Sequence, residues 1–294
     1  MNTSSNKLRY RLPYFKRKWY FLYLKRLKPL LISQNQSSDI PIDVVIPVIK
    51  RDLVILPLVI DSIRKYIAHP VKEIFLVASN DSDIKNICNL KKCRYINENS
   101  VLPIIKRDID YVVRGMDRSG WIFQQLLKLG MDRMCNQEHY LVVDADTIFI
   151  RHQVFKNKDK TIFNCSDEYH MPYFETFNNL LGYYPKFPLS FVSHHILFEK
   201  KKLDSLKRKI EKISNNNWYS TIIYNLDNLN ISSFSEFETY GNFVIDNYKF
   251  TFDLEYWFNL SLTRNMIDDL DSLSVKYSQF YKTVSLHHHN TVQM

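Results

Sequence analysis

Apolar positions along the first half of the chain alternate between two periods, one that suits strands and one that suits helices. Ile42 to Val48 is a β-branched run closed around Pro47, and Leu53, Leu56, Val59, Ile60, Ile63 and Ile67 then recur at helical spacing. This predicts a strand followed by a helix. Glu73 to Ala78 predicts a second strand, Ile84 to Leu90 a helix, and Cys93 to Ile96 a third strand. Ser119 stands as an N-cap ahead of Trp121, Ile122, Leu126, Leu129 and Met134, which predicts a helix to about Met134. Tyr140 to Val143 predicts a fourth strand that enters Asp144-Ala145-Asp146 and resumes as Thr147 to Ile150. The alternation predicts an α/β domain with a mostly parallel central sheet and helices on both faces. Ligands bind such sheets at the carboxyl ends of the strands. The second half is less regular: Phe191 to Phe198 reads as a strand, Lys200 to Ile213 as a basic-faced helix and Trp218 to Leu226 as another helix.

Composition changes this picture chiefly at the N-terminus. A chain of 294 residues, 45% hydrophobic and 14% aromatic, has ample material for a core, which excludes disorder as its main state. Its net charge of +9 is localised: residues 1–38 hold Lys7, Arg9, Arg11, Lys16, Arg17, Lys18, Lys25, Arg26 and Lys28 and no acid. Residues 39–294 are neutral, so the chain divides into a basic arm, 1–38, and a single domain, 39–294, at the polar stretch Ser33 to Asp39. The arm interleaves its cations with Tyr10, Tyr14, Phe15, Trp19, Tyr20, Phe21 and Tyr23. Two readings stand: a segment lying in the headgroups of an anionic membrane, or a helix packed on its own domain. Nucleic acid is the weaker partner for the arm, because nothing in the body continues its basic face.

The longest apolar run, Trp19 to Leu24, falls far short of the roughly 18 to 20 residues that span a bilayer, and no small-residue cleavage site follows it. The expectation is neither an integral membrane protein nor a secreted one. Four cysteines, Cys88, Cys93, Cys135 and Cys165, show no Cys-x-x-Cys spacing, which fits a reduced setting. The sequence is therefore read as cytoplasmic and, on the membrane reading of the arm, peripheral on the inner face of the membrane. Five glycines supply neither a G-x-G-x-x-G nor a Walker sequence, so a nucleotide would have to be held by side chains and a metal.

Asp144-Ala145-Asp146 is the central motif. Three other Asp-x-Asp triplets occur, at Asp81, Asp108 and Asp269, but only this one lies between apolar runs, Leu141 to Val143 and Ile148 to Ile150. Carboxylates at the end of a buried strand bear a desolvation cost unless a positive charge offsets it. Hard oxygen ligands select Mg²⁺ or Mn²⁺. The plain alternative is a strand-to-turn junction with capping carboxylates.

With Asp43-Val44-Val45-Ile46-Pro47-Val48, the Asn80-Asp81-Ser82-Asp83 turn and Asp144-Ala145-Asp146 in this order, the chain resembles the GT-A glycosyltransferase superfamily. Gly120-Trp121-Ile122-Phe123-Gln124-Gln125-Leu126, His195-Ile196-Leu197-Phe198 and Ser235-Glu236-Phe237-Glu238-Thr239-Tyr240-Gly241 resemble a bacterial and viral branch of GT-A-like enzymes. The resemblance covers roughly residues 40–250. It implies a GT-A-type, Rossmann-like domain that moves a sugar from a nucleotide-diphosphate donor to a glycan or lipid-linked polysaccharide acceptor, with Mn²⁺ or Mg²⁺ as cofactor. Asp146 would ligate the metal, and Asp144 would reach it through water or contact the donor ribose. Asp81 would touch the nucleoside or cap a helix. Lys50, Arg51 and Arg118 are candidates for diphosphate oxygens. Glu236, then Glu238, is the candidate general base, although Ser235 to Glu238 also reads as a capping box. His195 would contact acceptor. His289, on one face with His287, either completes the metal site or belongs to a surface end without a role. Two rivals remain at this point: an inactive GT-A-like binding module, and a sugar-phosphate nucleotidyltransferase, which would normally carry the glycine-rich loop that Pro47 to Asp52 lacks.

Overall fold

The computed structural model of the chain describes residues 17–28, 37–266 and 268–287. The first half builds β1 (Ile42–Pro47), α1 (Leu56–Tyr66), β2 (Val71–Ala78), α2 (Ser82–Leu90), β3 (Arg94–Asn97), a small hairpin of β4 (Val112–Val113) and β5 (Met116–Asp117), α3 (Ser119–Gly130) and β6 (His139–Val143). After the acidic triplet follow β7 (Thr147–Phe149), β8 (Lys156–Asn157), β9 (Lys160–Cys165), α4 (Met171–Leu181), β10 (His195–Glu199), α5 (Lys200–Ser214) and α6 (Trp218–Tyr224). The chain closes with α7 (Glu236–Asn247), β11 (Phe252–Tyr256), β12 (Asn259–Thr263), α8 (Leu270–Tyr277) and β13 (Thr283–His287).

The central sheet has the order β10-β6-β1-β2-β3. All its pairs are parallel except β10 against β6. This is the mostly parallel α/β architecture that the alternation predicts. Alternate residues of each strand face opposite layers. Val45, Phe75, Val77, Tyr140, Val142, Ile196 and Phe198 pack beneath α3, α4, α5 and α7. Val44, Ile46, Ile74, Leu76, Leu141, Val143 and Leu197 pack beneath α1, α2 and α8. Every residue of β1 is buried, which is why that strand reads as an unbroken apolar run rather than an alternating one.

Two smaller sheets flank this core, β12-β13-β7 and β11-β9-β8. The first holds the chain leaving the acidic triplet against the C-terminal strand, through Ile148↔Val284 and Thr147↔Ser285. The second is the dock for the N-terminal segment, helical over residues 17–28. There Leu24 is buried, Phe21 meets Tyr256 edge-on at 5.2 Å, and Lys28 bonds Asp253 and the Leu254 carbonyl. The packed-helix reading of the arm thus describes the inner face of these residues. No helix among the described residues is long and apolar enough to cross a membrane.

One close approach fixes the height of α7. A Cβ on Gly241 would lie 2.4 Å from Phe191 Cγ, so only glycine lets the helix sit this deep against the chain entering β10. The N-terminus of α7, with Ser235 and Glu236, is thereby pressed toward α3.

Candidate active site

Strands β1, β2 and β6 end together on one side of the sheet, and their following loops enclose a cleft of about 660 Å³. Pro47 to Asp52 line it from β1, Val77 and Ser79 from β2, and Asp144 to Asp146 from β6. Arg118, Trp121, Phe123 and Gln124 line it from the start of α3, and Lys106, Arg264 and His287 from outside the central sheet. This is the crevice that a parallel sheet offers to ligands.

The acidic triplet is a turn rather than a continuing strand. Asp144 N donates to the His194 carbonyl at 2.9 Å, and Thr147 N donates to the Asp144 carbonyl at 3.0 Å. Leu286 N then donates to the Asp146 carbonyl at 2.9 Å, which ties the turn to β13. His287 on that strand lies with Nδ1 3.5 Å from Asp146 Oδ2. Burial works against the Asp146 charge, but the bond to His287 and the fields of His194, His287 and Arg264 outweigh it and hold its pKa below the ordinary value. Asp146 is therefore a carboxylate near neutrality. Among the described residues no three His, Cys, Asp or Glu side chains converge as a ready-made metal site. The donor set that does face the cleft, the Asp146 carboxylate with the His287 imidazole, suits Mn²⁺ or Mg²⁺ completed by water and ligand oxygens.

Asp144 has a different partner. Lys128 Nζ, on α3, lies 2.6 Å from Asp144 Oδ1 and 2.6 Å from Glu236 Oε1. Lys128 is only 4% exposed, yet its pKa is raised: burial opposes the charge, and the two carboxylates more than restore it. Burial raises Glu236 in turn, with Lys128 pulling it back. The result is a buried Asp144–Lys128–Glu236 triplet directly beneath the cleft.

Cations also line the cleft. Lys50 pairs with Asp83 at 3.1 Å and Asp81 at 3.8 Å. Arg118 Nε donates to the Ile231 carbonyl at 3.0 Å while its guanidinium stacks 4.6 Å over Trp121. Arg264 is pinned at three points, Asp52 Oδ1 at 2.6 Å, the Leu286 carbonyl at 3.2 Å and the Arg51 carbonyl.

The cleft brings together five of the expected residues, Lys50, Arg51, Arg118, Asp144 and Asp146. Others lie elsewhere. Asp81 caps α2, its Oδ1 accepting from Asp83 N at 2.8 Å and Ile84 N at 3.3 Å, and does not line the cleft. Glu236, expected at the acceptor, is 3% exposed and reaches the cleft only through Lys128. Glu238 is 1% exposed, bonded by Ser190 Oγ and by Asn242 Nδ2 at 3.0 Å, and Ser235 Oγ accepts from its N–H at 3.3 Å, the helix-capping half of the expected box. His195 points away from the cleft into the core, its ring 5.3 Å from those of both Phe149 and Phe155. His194 takes a left-handed φ of +57° just before β10 begins, and His195 packs with Phe149 and Phe155 on the face of the sheet that Leu197 also meets. It is His194 that sits by the acidic turn, bonded to Ser285 Oγ at 2.9 Å and 5.5 Å from the His287 ring. His289 lies outside the described residues.

Sequence reasoning missed Lys128, Arg264, Lys106 and His194. Lys128 did leave a signal, the one charged residue of its helix, set between Leu126, Leu127 and Leu129.

The model of the Family of unknown function (DUF6492) matches residues 39–291. No curated protein matches the chain significantly. Among solved structures the chain is similar to the galactosyltransferase LgtC in complex with donor and acceptor sugar analogs, at 13% identity, covering 83% of this chain and 87% of that one with a TM-score of 0.46. It is similar to the bifunctional glycosyltransferase WbbM at 12% identity, covering 87% of this chain and 47% of that one, also with a TM-score of 0.46. A third likeness, at 21% identity and a TM-score of 0.25, is to glucosyl-3-phosphoglycerate synthase from Mycobacterium tuberculosis, crystallised with Mn²⁺, uridine diphosphate and glucosyl-3-phosphoglycerate; it covers 37% of this chain. This chain spans 34% of that synthase and 47% of WbbM. At such TM-scores the chemistry of this chain rests on its own residues.

Proposed function

The chain belongs to the DUF6492 family, and on the geometry of its cleft we propose that it is a GT-A-type glycosyltransferase that takes its sugar from a nucleotide-diphosphate donor. The observation that carries this reading is one cleft at the carboxyl ends of a parallel sheet in which an ionised Asp146 and its neighbour Asp144 face Lys50, Arg51, Lys106, Arg118 and Arg264. A diphosphate needs cations along its length, and a sugar needs carboxylates to order its hydroxyls. Asp146 and His287 are the residues that would hold Mn²⁺ or Mg²⁺. When bound, the metal supplies positive charge against the negative charge that develops on a departing diphosphate.

The protein's own contributions follow from its contacts. Arg264, fixed by Asp52 and two carbonyls, offers a cation whose position costs no reorganisation when the ligand arrives. Arg118, over the Trp121 ring and held at Nε by the Ile231 carbonyl, adds a second cation to the cleft. Asp144, held by Lys128, keeps its second oxygen for the donor. Glu236 acts in this reading as a positioning residue, holding Lys128 beneath Asp144.

The test is thermal unfolding with UDP, GDP, CMP, dTDP and their common sugars, with and without Mn²⁺. A ligand at about 100 times its Kd adds roughly 2.7 kcal/mol to the folded state. The expected outcome is a metal-dependent shift with one nucleotide family that Asp146→Asn abolishes, followed by metal-dependent release of the nucleotide when acceptor is added. No shift with any nucleotide would overturn the reading.

A further inference from the structure

The N-terminal helical segment docks on the domain by one face only. Phe21, Leu24 and Lys28 turn inward, and Tyr20 meets Phe187 edge-on at 5.9 Å. Trp19, Tyr23 and Leu27 follow one another at intervals of four residues on the outer face, and they are 73%, 43% and 54% exposed. Three of this segment's cations, Lys18, Lys25 and Arg26, are exposed around that apolar strip. No acid occurs anywhere in residues 1–38.

These features have one physical reading together. A tryptophan at 73% exposure on an already folded helix gains nothing from its own domain, whereas a ring with an apolar body and a polar edge is at home in the headgroup region of a bilayer. The flanking charges are all of one sign, complementary to anionic lipid. We propose that the outer face of residues 17–28 is a docking surface for an anionic lipid membrane, with Trp19, Tyr23 and Leu27 entering the interface and Lys18 and Arg26 meeting the headgroups.

The position of the helix gives the contact a consequence for the site. Phe21 and Lys25 rest on Tyr256, the last residue of β11. The next residue, Trp257, packs its ring 4.7 Å from that of His194, beside His287 and Asp146. The helix is thus linked through Tyr256 and Trp257 to His194 beside the acidic turn, and an acceptor anchored in the same leaflet is the class that this link suits. This class of acceptor rests on the transferase reading; the membrane contact does not.

Flotation of the full chain with vesicles tests the contact without nucleotide. Vesicles of phosphatidylcholine alone are compared with vesicles of phosphatidylcholine and phosphatidylglycerol at a 7:3 ratio, and the partition coefficient is read against salt. The full chain is expected to float with the anionic vesicles at low salt and to lose binding as salt rises. Each of Lys18→Gln and Arg26→Gln is expected to lower the partition coefficient about five-fold, as about 1 kcal/mol per cation implies. Trp19→Ala/Tyr23→Ala/Leu27→Ala is expected to lower it at least ten-fold with an unchanged unfolding temperature, since all three side chains are exposed. Quenching of tryptophan emission by brominated lipid is expected to vanish in Trp19→Phe. Equal flotation with both vesicles, an unaffected triple variant, or quenching that survives Trp19→Phe would each overturn the proposal. A negative result here with an intact nucleotide shift would leave the donor site standing, and the reverse would separate the two in the other direction.

Discussion

A lysine ammonium shut away at 4% exposure would shed its proton if it stood alone; Lys128 keeps it because Asp144 and Glu236 both approach to 2.6 Å. The triplet opens toward solvent through Asp144 at the cleft. Removing the cation leaves Glu236 as an uncompensated buried charge. Lys128→Met is therefore expected to cost about 3–5 kcal/mol in urea unfolding and to weaken the metal-dependent nucleotide shift, because nothing then orients Asp144. Lys128→Met/Glu236→Gln removes the stranded charge as well and is expected to regain more than half of the lost stability without regaining the nucleotide shift. Simple additivity of the two single variants would show that the three groups are not coupled.

At the scale of elements, the central sheet was legible because burial on both faces writes β1, β2 and β6 as continuous apolar runs, and the helices between them keep a clean 3.6 period. The flanking sheets were not legible, since β7 finds its partner β13 more than 130 residues later and β9 pairs with β11 about 90 residues on. Strands of two to six residues carry too little periodicity to announce such long-range partners. The turn Asn80-Asp81-Ser82-Asp83 left two readings, and the structure shows the capping one: Asp81 Oδ1 accepts the N–H groups of Asp83 and Ile84. Asp81→Ala is accordingly expected to lower stability by about 1 kcal/mol, and Asp81→Ser to retain most of it. The nucleotide shift per unit ligand is expected to be the same in Asp81→Ser as in the parent chain. A selective loss of nucleotide binding in Asp81→Ser would give Asp81 a ligand contact in addition to its cap.

Over the whole molecule, the half of the candidate site that follows strand ends could be read from sequence, because Lys50, Arg51, Asp144 and Asp146 are placed by the topology itself. Arg264 and His287 reach the same cleft, and His194 the acidic turn beside it, from outside the parallel strands, while His195 follows the alternation of β10 into the core. Two buried groups outside the cleft contribute with opposite signs to how the fold responds to pH. His195 is enclosed with neither ring nitrogen partnered, and burial, with the nearby His194 and Lys282, lowers its pKa from 6.5 to about 3. Between those values the unfolded chain takes up a proton that the folded chain refuses, so this contribution is present above pH 6.5 and lost as pH falls toward 3. Glu238 has the opposite sign. Burial pushes it up to about 8 from 4.5, against hydrogen bonds from Ser190, Phe191 and Asn242, so the folded chain holds a proton that the unfolded one releases. Its contribution is present below pH 4.5 and lost as pH rises toward 8. Each group contributes a slope of at most about 1.4 kcal/mol per pH unit within its window. Urea unfolding from pH 4 to 8 is expected to show His195→Phe flattening the acid limb, with higher stability because two unpartnered nitrogens leave the core. Glu238→Gln is expected to flatten the limb between pH 4.5 and 8 while leaving the acid limb intact. An acid limb unchanged in His195→Phe would mean that His195 finds a partner in solution, most directly by rotating toward the His194 side of the sheet.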